Sequence, residues 1–496
     1  MADATSIKSK SADVESNVSI DPDLARKVLR KIDWRLLPIM FITYNFNFID
    51  KTILSSASVF GLKADTVCRL SSFCGAITNE KGHQHLVGQQ YSWVSSVFYF
   101  GYLGWAYPTT YLIQRLPVGK YVSVNTIIWG TLVALTAACK NFGGLVTVRF
   151  LLGVAEATIT PAFVYITSMW YTRDEIPVKT GAWFAGNSFG GLVASLAAYG
   201  IGRIEEPLSP WQWLFIIFGL ATGLWGVVIL FILPDSIESC GFLNEEEKKC
   251  AQDRVVLAGT GKASKETSQW KRDQVFECFL DPKTWFFFAI SICTQIPNSG
   301  TQNFGNLVLT GFGFTNLETT LVGIPSSVIA FLTILISGWV AGRVRDISTF
   351  LIIPIVACPV VGSALIYSDV SNGVKLFGYY LLATGPGALP LSMSLMSANY
   401  KGVTKKMTMT ALLFIAYCTG NIAGPQFFKS SESPHYQTAF RTIMICYALV
   451  VVEALGLRFY LIWVNRRREI LEGDAMNREL DEDVTDLKTV GMRYRL

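Results

Sequence analysis

The sequence predicts an all-α membrane protein whose twelve transmembrane helices fall into two halves of six, and three observations carry that reading. Charged residues make up only 16% of the 496 and hydrophobic ones 51%, whereas an ordinary soluble domain is about 25% charged. Apolar runs long enough to cross a bilayer, roughly 20 residues each, recur twelve times between clusters of Gly, Pro, Asn and charge. The longest interior polar stretch, 235–283, divides six runs from six.

In chain order the expected spans lie near 35–60, 90–113, 119–139, 143–171, 180–201, 212–234, 284–309, 318–342, 348–367, 374–396, 407–427 and 438–464. They define an amino-terminal tail (1–34), a first bundle (35–234), a connector (235–283), a second bundle (284–464) and a carboxyl-terminal tail (465–496). The first tail is polar and lacks an apolar core behind a basic start, so a cleavable leader is not expected. Within the connector, "EEEKKCAQDR" (245–254) places acids three to four residues before bases, as a solvated helix does, and "GTGKASKETS" reads as a flexible linker. Two six-helix halves with a polar connector are the plan of transporters built from repeats, whose solute site lies at mid-depth between the halves.

Basic residues set the orientation. Arg115 and Lys120, Arg173 and Lys179, Arg343 and Arg345, and Lys401, Lys405 and Lys406 occupy the even-numbered loops, and Arg466, Arg467 and Arg468 follow the last span. Such residues stay on the cytoplasmic side, which puts both tails and the connector there. Topology thus accounts for the formal charge of +5 without a nucleic-acid partner. The first outer loop breaks the pattern with Lys63, Arg69 and Lys81.

Polar groups inside the spans carry the chemistry, because ionisable residues in a membrane are costly and mark function. The first span reads "YNFNFIDKTIL" (44–54). Tyr44, Asn47 and Lys51 share one helical face and offer a solute a hydroxyl, an amide and an ammonium group. Asp50 points about 100° away and pairs with Lys51 or with another helix. The competing reading has Lys51 snorkelling to the outer headgroups, which leaves the adjacent Asp50 unexplained.

In the fourth span, "RFLLGVAEATITPAF" (149–163), Arg149, Gly153 and Glu156 share a face. Arg149 and Glu156 stand about 10 Å apart along the axis, too far to touch. A solute, a water or a neighbouring helix must satisfy each, and Gly153 permits a close backbone approach. Carboxyl groups withdrawn from water hold protons more readily, which makes Glu156 the proton-carrier candidate; the plainer alternatives are a Glu156 that only packs and an Arg149 that holds helix ends.

Gln295, Asn298, Gln302 and Asn306 recur along one face of the seventh span, with Pro297 and Gly300 expected to break the helix among them. Such amides line a cavity or glue helices together. The eleventh span adds Tyr417 and Asn421, and the tenth has Pro386 and Pro390 as a hinge or a plain kink. Glu453 in the last span is isolated.

The ten cysteines have no metal-ligand spacing. Cys68 and Cys74, both in the first outer loop, are candidates for a local disulfide. His83 and His85 beside them are too loosely spaced for a zinc site, and no metal is expected. "GTGK" (259–262) is not a P-loop, and the histidines fall outside the spans, so neither an enzyme nor a cofactor is expected.

"DWRLLP" (33–38), "FIDKTILS" (48–55), "QRLPVGKY" (114–121), the fourth-span motif and "ANYKGVTKKMTMTALLFIAYCTGNIAGPQFF" (398–428) resemble the fungal allantoate-permease-like branch of the anion:cation symporter family, within the major facilitator superfamily. The resemblance implies a twelve-helix rocker-switch fold and proton-coupled import of small organic solutes, such as ureides, vitamin acids or amino acids including cysteine. It implies solute contacts at Lys51 and Arg149, and gating or proton coupling at Asp50 and Glu156. Two departures stand out. Many relatives carry Arg where this chain has Lys51, a point charge without the planar two-point grip of a guanidinium, which makes a simple carboxylate less expected and a zwitterion or thiol amino acid more so. The 66–87 stretch is an insertion over the outer mouth. The expectation is a monomeric plasma-membrane symporter of a small solute and a proton; a nutrient sensor and an uncoupled facilitator are the rivals.

Overall fold

The computed structural model describes residues 21–65, 89–172, 175–204, 206–257, 271–344, 346–472, 485–488 and 492–496. Cys68, Cys74, His83, His85 and the 66–87 insertion lie outside the described residues. Among those described, every regular element is a helix.

Twelve helical rods follow one another. The first half contains α1 (Pro22–Val59), α2 (Gln90–Arg115), α3 (Val118–Thr136), α4 (Phe142–Trp170), α5 (Ile176–Phe184 continued by Gly186–Ile201) and α6 (Pro210–Ile232). Two connector helices, Glu245–Leu257 and Arg272–Leu280, lead to the second half. There α7 (Pro282–Gly311), α8 (Asn316–Arg343), α9 (Ser348–Tyr367), α10 (Asn372–Leu382 continued by Ala388–Asn399), α11 (Val403–Phe427) and α12 (Gln437–Glu472) complete the chain.

Several starts are written in the sequence as a capping side chain followed by proline, whose missing N–H costs nothing at the first turn. Asp21 accepts from the Asp23 amide ahead of α1, and Asp281 from the Lys283 amide ahead of α7. Ser209 with Gln212 boxes the start of α6, and Thr315 with Glu318 boxes that of α8, where Asn316 rather than proline follows. α1 begins well before the expected residue 35 because Val28, Ile32 and Leu36 continue a fully buried stripe at four-residue spacing.

α7 is one unbroken helix through Pro297 and Gly300, against the expected break. A proline removes a single hydrogen bond, and α11 packs so closely on α7 that the remainder stays in register. The breaks fall elsewhere: at Ala157–Thr158 in α4, Ala185 in α5, Gly323 in α8 and the short 3₁₀ turn Gly385–Gly387 in α10.

By length and composition, seven of the described helices are long and apolar enough to cross a membrane: Val118–Thr136, Phe142–Trp170, Pro210–Ile232, Asn316–Arg343, Ser348–Tyr367, Val403–Phe427 and Gln437–Glu469. Of the five rods outside that set, α1, α5, α7 and α10 line the central cavity. Charges in α1, amides in α1, α5 and α7, and glycine, proline, serine and tyrosine in α10 lower the hydropathy that an apolar span would have.

Charge pairs fix the end of each half that faces the connector. Lys179 meets Asp33 at 2.7 Å, Arg254 meets Glu175 at 2.6 Å and Lys31 meets Glu247 at 2.6 Å, which ties the first connector helix to the first half. In the second half Lys405 meets Asp281 at 2.9 Å and Asp486 at 3.0 Å, and Lys283 also contacts Asp486, all four side chains being fully buried. Residues 485–488 and 492–496 thereby dock on the ends of α7, α11 and α12, with Asn465 and the Tyr494 backbone exchanging two hydrogen bonds of 2.9 Å.

Candidate functional site

α2 and α4 cross with almost no gap. A Cβ on Gly153 would lie 1.9 Å from the Phe98 carbonyl oxygen, and one on Gly101 would lie 2.2 Å from that of Phe150. Glycine at both crossings sets the depth of α4, and with it the height of Arg149 and Glu156 against α1.

Glu156 is completely buried and faces α1. Its Oε2 accepts from Asn47 Nδ2 at 2.8 Å and lies 3.5 Å from the Lys51 ammonium, which also donates to Asn47 Oδ1 at 2.9 Å. Its Oε1 has no hydrogen-bond partner among the described residues. Lys51 sits 5.7 Å from the ring centres of both Phe98 and Tyr102, so aromatic faces supplement its charge partner.

Arg149 lies farther along α4 with its guanidinium 5.6 Å from the Phe215 ring centre. Its Nε and Nη2, and both carboxylate oxygens of Asp50, lack hydrogen-bond geometry among the described residues. Asp50, Arg149, Glu156 and Lys51 influence one another electrostatically. Four ionisable groups from α1 and α4 thus share one largely buried region of the first half.

A cavity of about 310 Å³ lies between the halves, walled by α1, α5, α7, α8, α10 and Tyr417 of α11. Of the residues singled out from the sequence, Lys51, Gln295, Asn298, Gln302, Asn306, Pro386, Pro390 and Tyr417 line it. Tyr44, Asn47, Arg149 and Asn421 stand behind that wall: Tyr44 shares a 2.7 Å hydrogen bond with Thr160, and Asn421 donates to Gln295 Oε1 at 3.2 Å. Asp50 and Glu156 lie deeper, with Lys51 between Glu156 and the cavity.

Sequence reasoning missed Asn187 and Tyr379, which also line the cavity. Asn187 had a signal, the small-residue run "FAGNSFGG" around it. Tyr379 had none. Glu453, isolated in the sequence, meets the Cys293 thiol of α7 at 3.9 Å.

Hydrogen bonds between the halves gather toward the end away from the connector. Tyr91 donates to the Asn303 carbonyl at 2.9 Å, Asn306 Nδ2 to Ser56 Oγ at 3.1 Å, Ser96 to the Ile422 carbonyl at 2.7 Å and Gln426 to Ser96 at 3.0 Å. Lys63 lies 4.7 Å from the Tyr91 ring centre and 5.9 Å from that of Phe304. The cavity is therefore closed above by contacts that alternate access would have to break.

Residues 40–425 match the family model of the Major Facilitator Superfamily. Over 486 residues the chain is 34% identical to an uncharacterized transporter of Schizosaccharomyces pombe, with 96% of this chain and 91% of the relative covered. Over 506 residues it is 30% identical to allantoate permease of Saccharomyces cerevisiae, covering 98% and 89%. Over 489 residues it is 30% identical to the thiamine pathway transporter THI73 of the same yeast, covering 97% and 88%. The crystal structure of the D-xylose-proton symporter superposes with a TM-score of 0.63 at 13% identity, covering 86% of this chain and 97% of that one; at such identity the likeness concerns the fold. The chain belongs to the Major Facilitator Superfamily, as a multi-pass membrane transporter rather than an enzyme, related along its length to fungal transporters that include allantoate permease.

Proposed function

We propose that the protein imports a small organic anion together with a proton across the plasma membrane by alternating access, as a monomer with both termini and the connector in the cytoplasm. The observation that carries the reading is the placing of Lys51 between Glu156 and the cavity. With Glu156 ionised, the ammonium group is already balanced and attracts a solute weakly. A proton on the bare Oε1 of Glu156 cancels that balance and releases Lys51 to a carboxylate. Proton and anion then load together, and neither alone leaves the buried region neutral.

Asp50 and Arg149 act as the gating pair beside this switch, with the Asp50 carboxylate oxygens and the Arg149 Nε and Nη2 free of hydrogen bonds among the described residues, so that a rocking motion re-forms their contacts at small cost. The carboxamides of Gln295, Asn298 and Gln302 and the Tyr417 hydroxyl complete the solute site. The basic even-numbered loops support the orientation. That allantoate permease is a relative supports an organic anion as cargo.

The test is uptake by cells that express the protein at their surface, with a panel of labelled ureides, vitamin acids and amino acids at acidic and neutral external pH. Accumulation that rises in acid and collapses with a protonophore is expected. Glu156→Gln should lose uphill accumulation and keep exchange. Unchanged accumulation in that variant would make the protein a facilitator or move the proton elsewhere.

A further inference from the structure

Lys63, Arg69 and Lys81 run against the rule that keeps basic residues on the cytoplasmic side, and nothing in the solute site accounts for them. Lys63 is the one of the three among the described residues. Gly61, at a φ of +105°, turns the chain after α1 into the short helical turn Leu62–Asp65. Leu62 is fully buried, and the Asp65 carboxylate accepts from Ser209 Oγ and Trp211 Nε1, each at 2.7 Å. The turn is therefore fastened to the start of α6, and it carries Lys63 as a fixed arm over the closed outer end.

That arm ends on aromatic rings instead of on a carboxylate. Its ammonium group lies over Tyr91 of α2 and Phe304 of α7, one ring from each half, and the two rings meet edge to face at 5.0 Å. Behind them Phe304 stacks on Phe428 at 4.6 Å, and both pack on Tyr436. One cation thus touches both sides of the seam that parts when the outer end opens. No carboxylate among the described residues acts on it; burial alone pushes the ammonium group down, to about 8, which leaves it charged at neutral pH. Ring faces hold a cation weakly, whereas a carboxylate forms the stronger, charge-assisted hydrogen bond.

We propose that Lys63 is an anion-reception site at the outer mouth, where the carboxylate of an arriving solute takes the ammonium group from the Tyr91 and Phe304 rings and so releases a latch between the halves. The assignment rests on the reading of the cargo as an organic anion that enters from outside, and it adds an anion site apart from Lys51. An anion that binds the released arm and not the latched one shifts the population toward opening. The cargo then helps to open its own path, and an uncharged solute does not.

The probes are valerate and its uncharged isostere valeramide, at neutral pH and constant ionic strength. The reporter is a cysteine at Ser55, which lines the cavity and accepts from the Asn306 amide at 3.3 Å. Intact cells with the full-length protein at their surface are treated from outside with an impermeant maleimide, and peptide mass spectrometry of the purified protein reads the rate at that position apart from Cys68 and Cys74. The probes are compared in a Lys51→Gln background, so that valerate meets no cation in the cavity; resting rates are also compared with Lys51 intact, and melting curves report folding. Lys63→Gln should raise the resting rate about two- to fivefold, the worth of an exposed cation–π contact. With Lys63 present, valerate should speed labelling by a similar factor and valeramide should not; with Lys63→Gln, valerate should add nothing. Lys63→Arg, whose guanidinium also stacks on rings and binds carboxylates, should keep the slow resting rate and the response. An unchanged resting rate in Lys63→Gln, no response to valerate, a response that survives Lys63→Gln, or an equal response to valeramide would each overturn the assignment. Labelling is read without transport, so uptake that proves independent of protons would sink the coupling and leave Lys63 in place.

Discussion

Lys51 and Glu156 lie 3.5 Å apart, with the carboxylate fully buried and the ammonium group still in reach of the cavity. Removing the positive member tests the pair from the solute side. Lys51→Gln should weaken solute binding by about 2–4 kcal/mol, the scale of a desolvated charged hydrogen bond, seen as a rise in uptake KM of more than tenfold. Lys51→Arg should restore part of the affinity. An unchanged KM in correctly localised Lys51→Gln protein would end the solute role.

The α2–α4 crossing predicts a steep local sensitivity. Gly153→Ala puts a methyl group 1.9 Å from the Phe98 carbonyl oxygen and should cost about 3 kcal/mol or more by overpacking. Gly104, also on α2, has open space for 4 Å around the point where a methyl group would stand, so Gly104→Ala should be neutral or stabilising by up to about 1 kcal/mol. Melting curves in detergent compare the two directly.

At the closed end, Tyr91→Phe removes a hydroxyl that reaches the Asn303 carbonyl at 2.9 Å and the Leu54 carbonyl at 3.2 Å. A loss of about 1 kcal/mol should move the balance toward opening there by roughly fivefold. Faster labelling of a cysteine introduced at Ser55 by an impermeant thiol reagent added outside would report it, and an unchanged rate would show that this contact does not hold the gate.

The docked Asp486 makes a pH prediction. Burial works against the Asp486 charge, but the ammonium groups of Lys283 and Lys405 outweigh it and hold its carboxyl below the ordinary range. A depressed carboxyl contributes stability that is fully present above its unfolded value, near 4, and is lost as pH falls through the lower folded value. Asp486→Asn should therefore cost about 3 kcal/mol with little change between pH 5 and 8. The gap between wild type and variant should shrink only below about pH 4, as read from melting temperatures against pH.

Hydropathy makes seven of the twelve rods legible as spans, because a bilayer demands an apolar run of fixed length, and the other five were readable from the polar and charged clusters that separate them. Their ends were less so. α1 continues to Pro22 on a stripe of Val28, Ile32 and Leu36 that packs against protein, which a search for spans does not weigh. The faces of α1 and α7 were readable from residue spacing, yet spacing gives direction and not what lies there. Asn47 and Lys51 share a face, and only the position of α4 makes one an internal ligand of Glu156 and the other a wall of the cavity. Tyr379 became visible only through Gly305, a contact between residues 74 apart in sequence.

The polarity of α1, α5, α7 and α10 also bears on how the chain enters the bilayer. A helix with amides and charges at its centre partitions poorly on its own, so the cavity is built from the segments least able to insert alone. Three of them have strongly apolar chain neighbours: α5 lies between α4 and α6, α7 precedes α8, and α10 lies between α9 and α11. Synthesis then favours entry as hairpins, the apolar helix carrying its polar neighbour. α1 is not followed directly by a helix of the apolar set, so its retention in the membrane waits on the helices that come after α2.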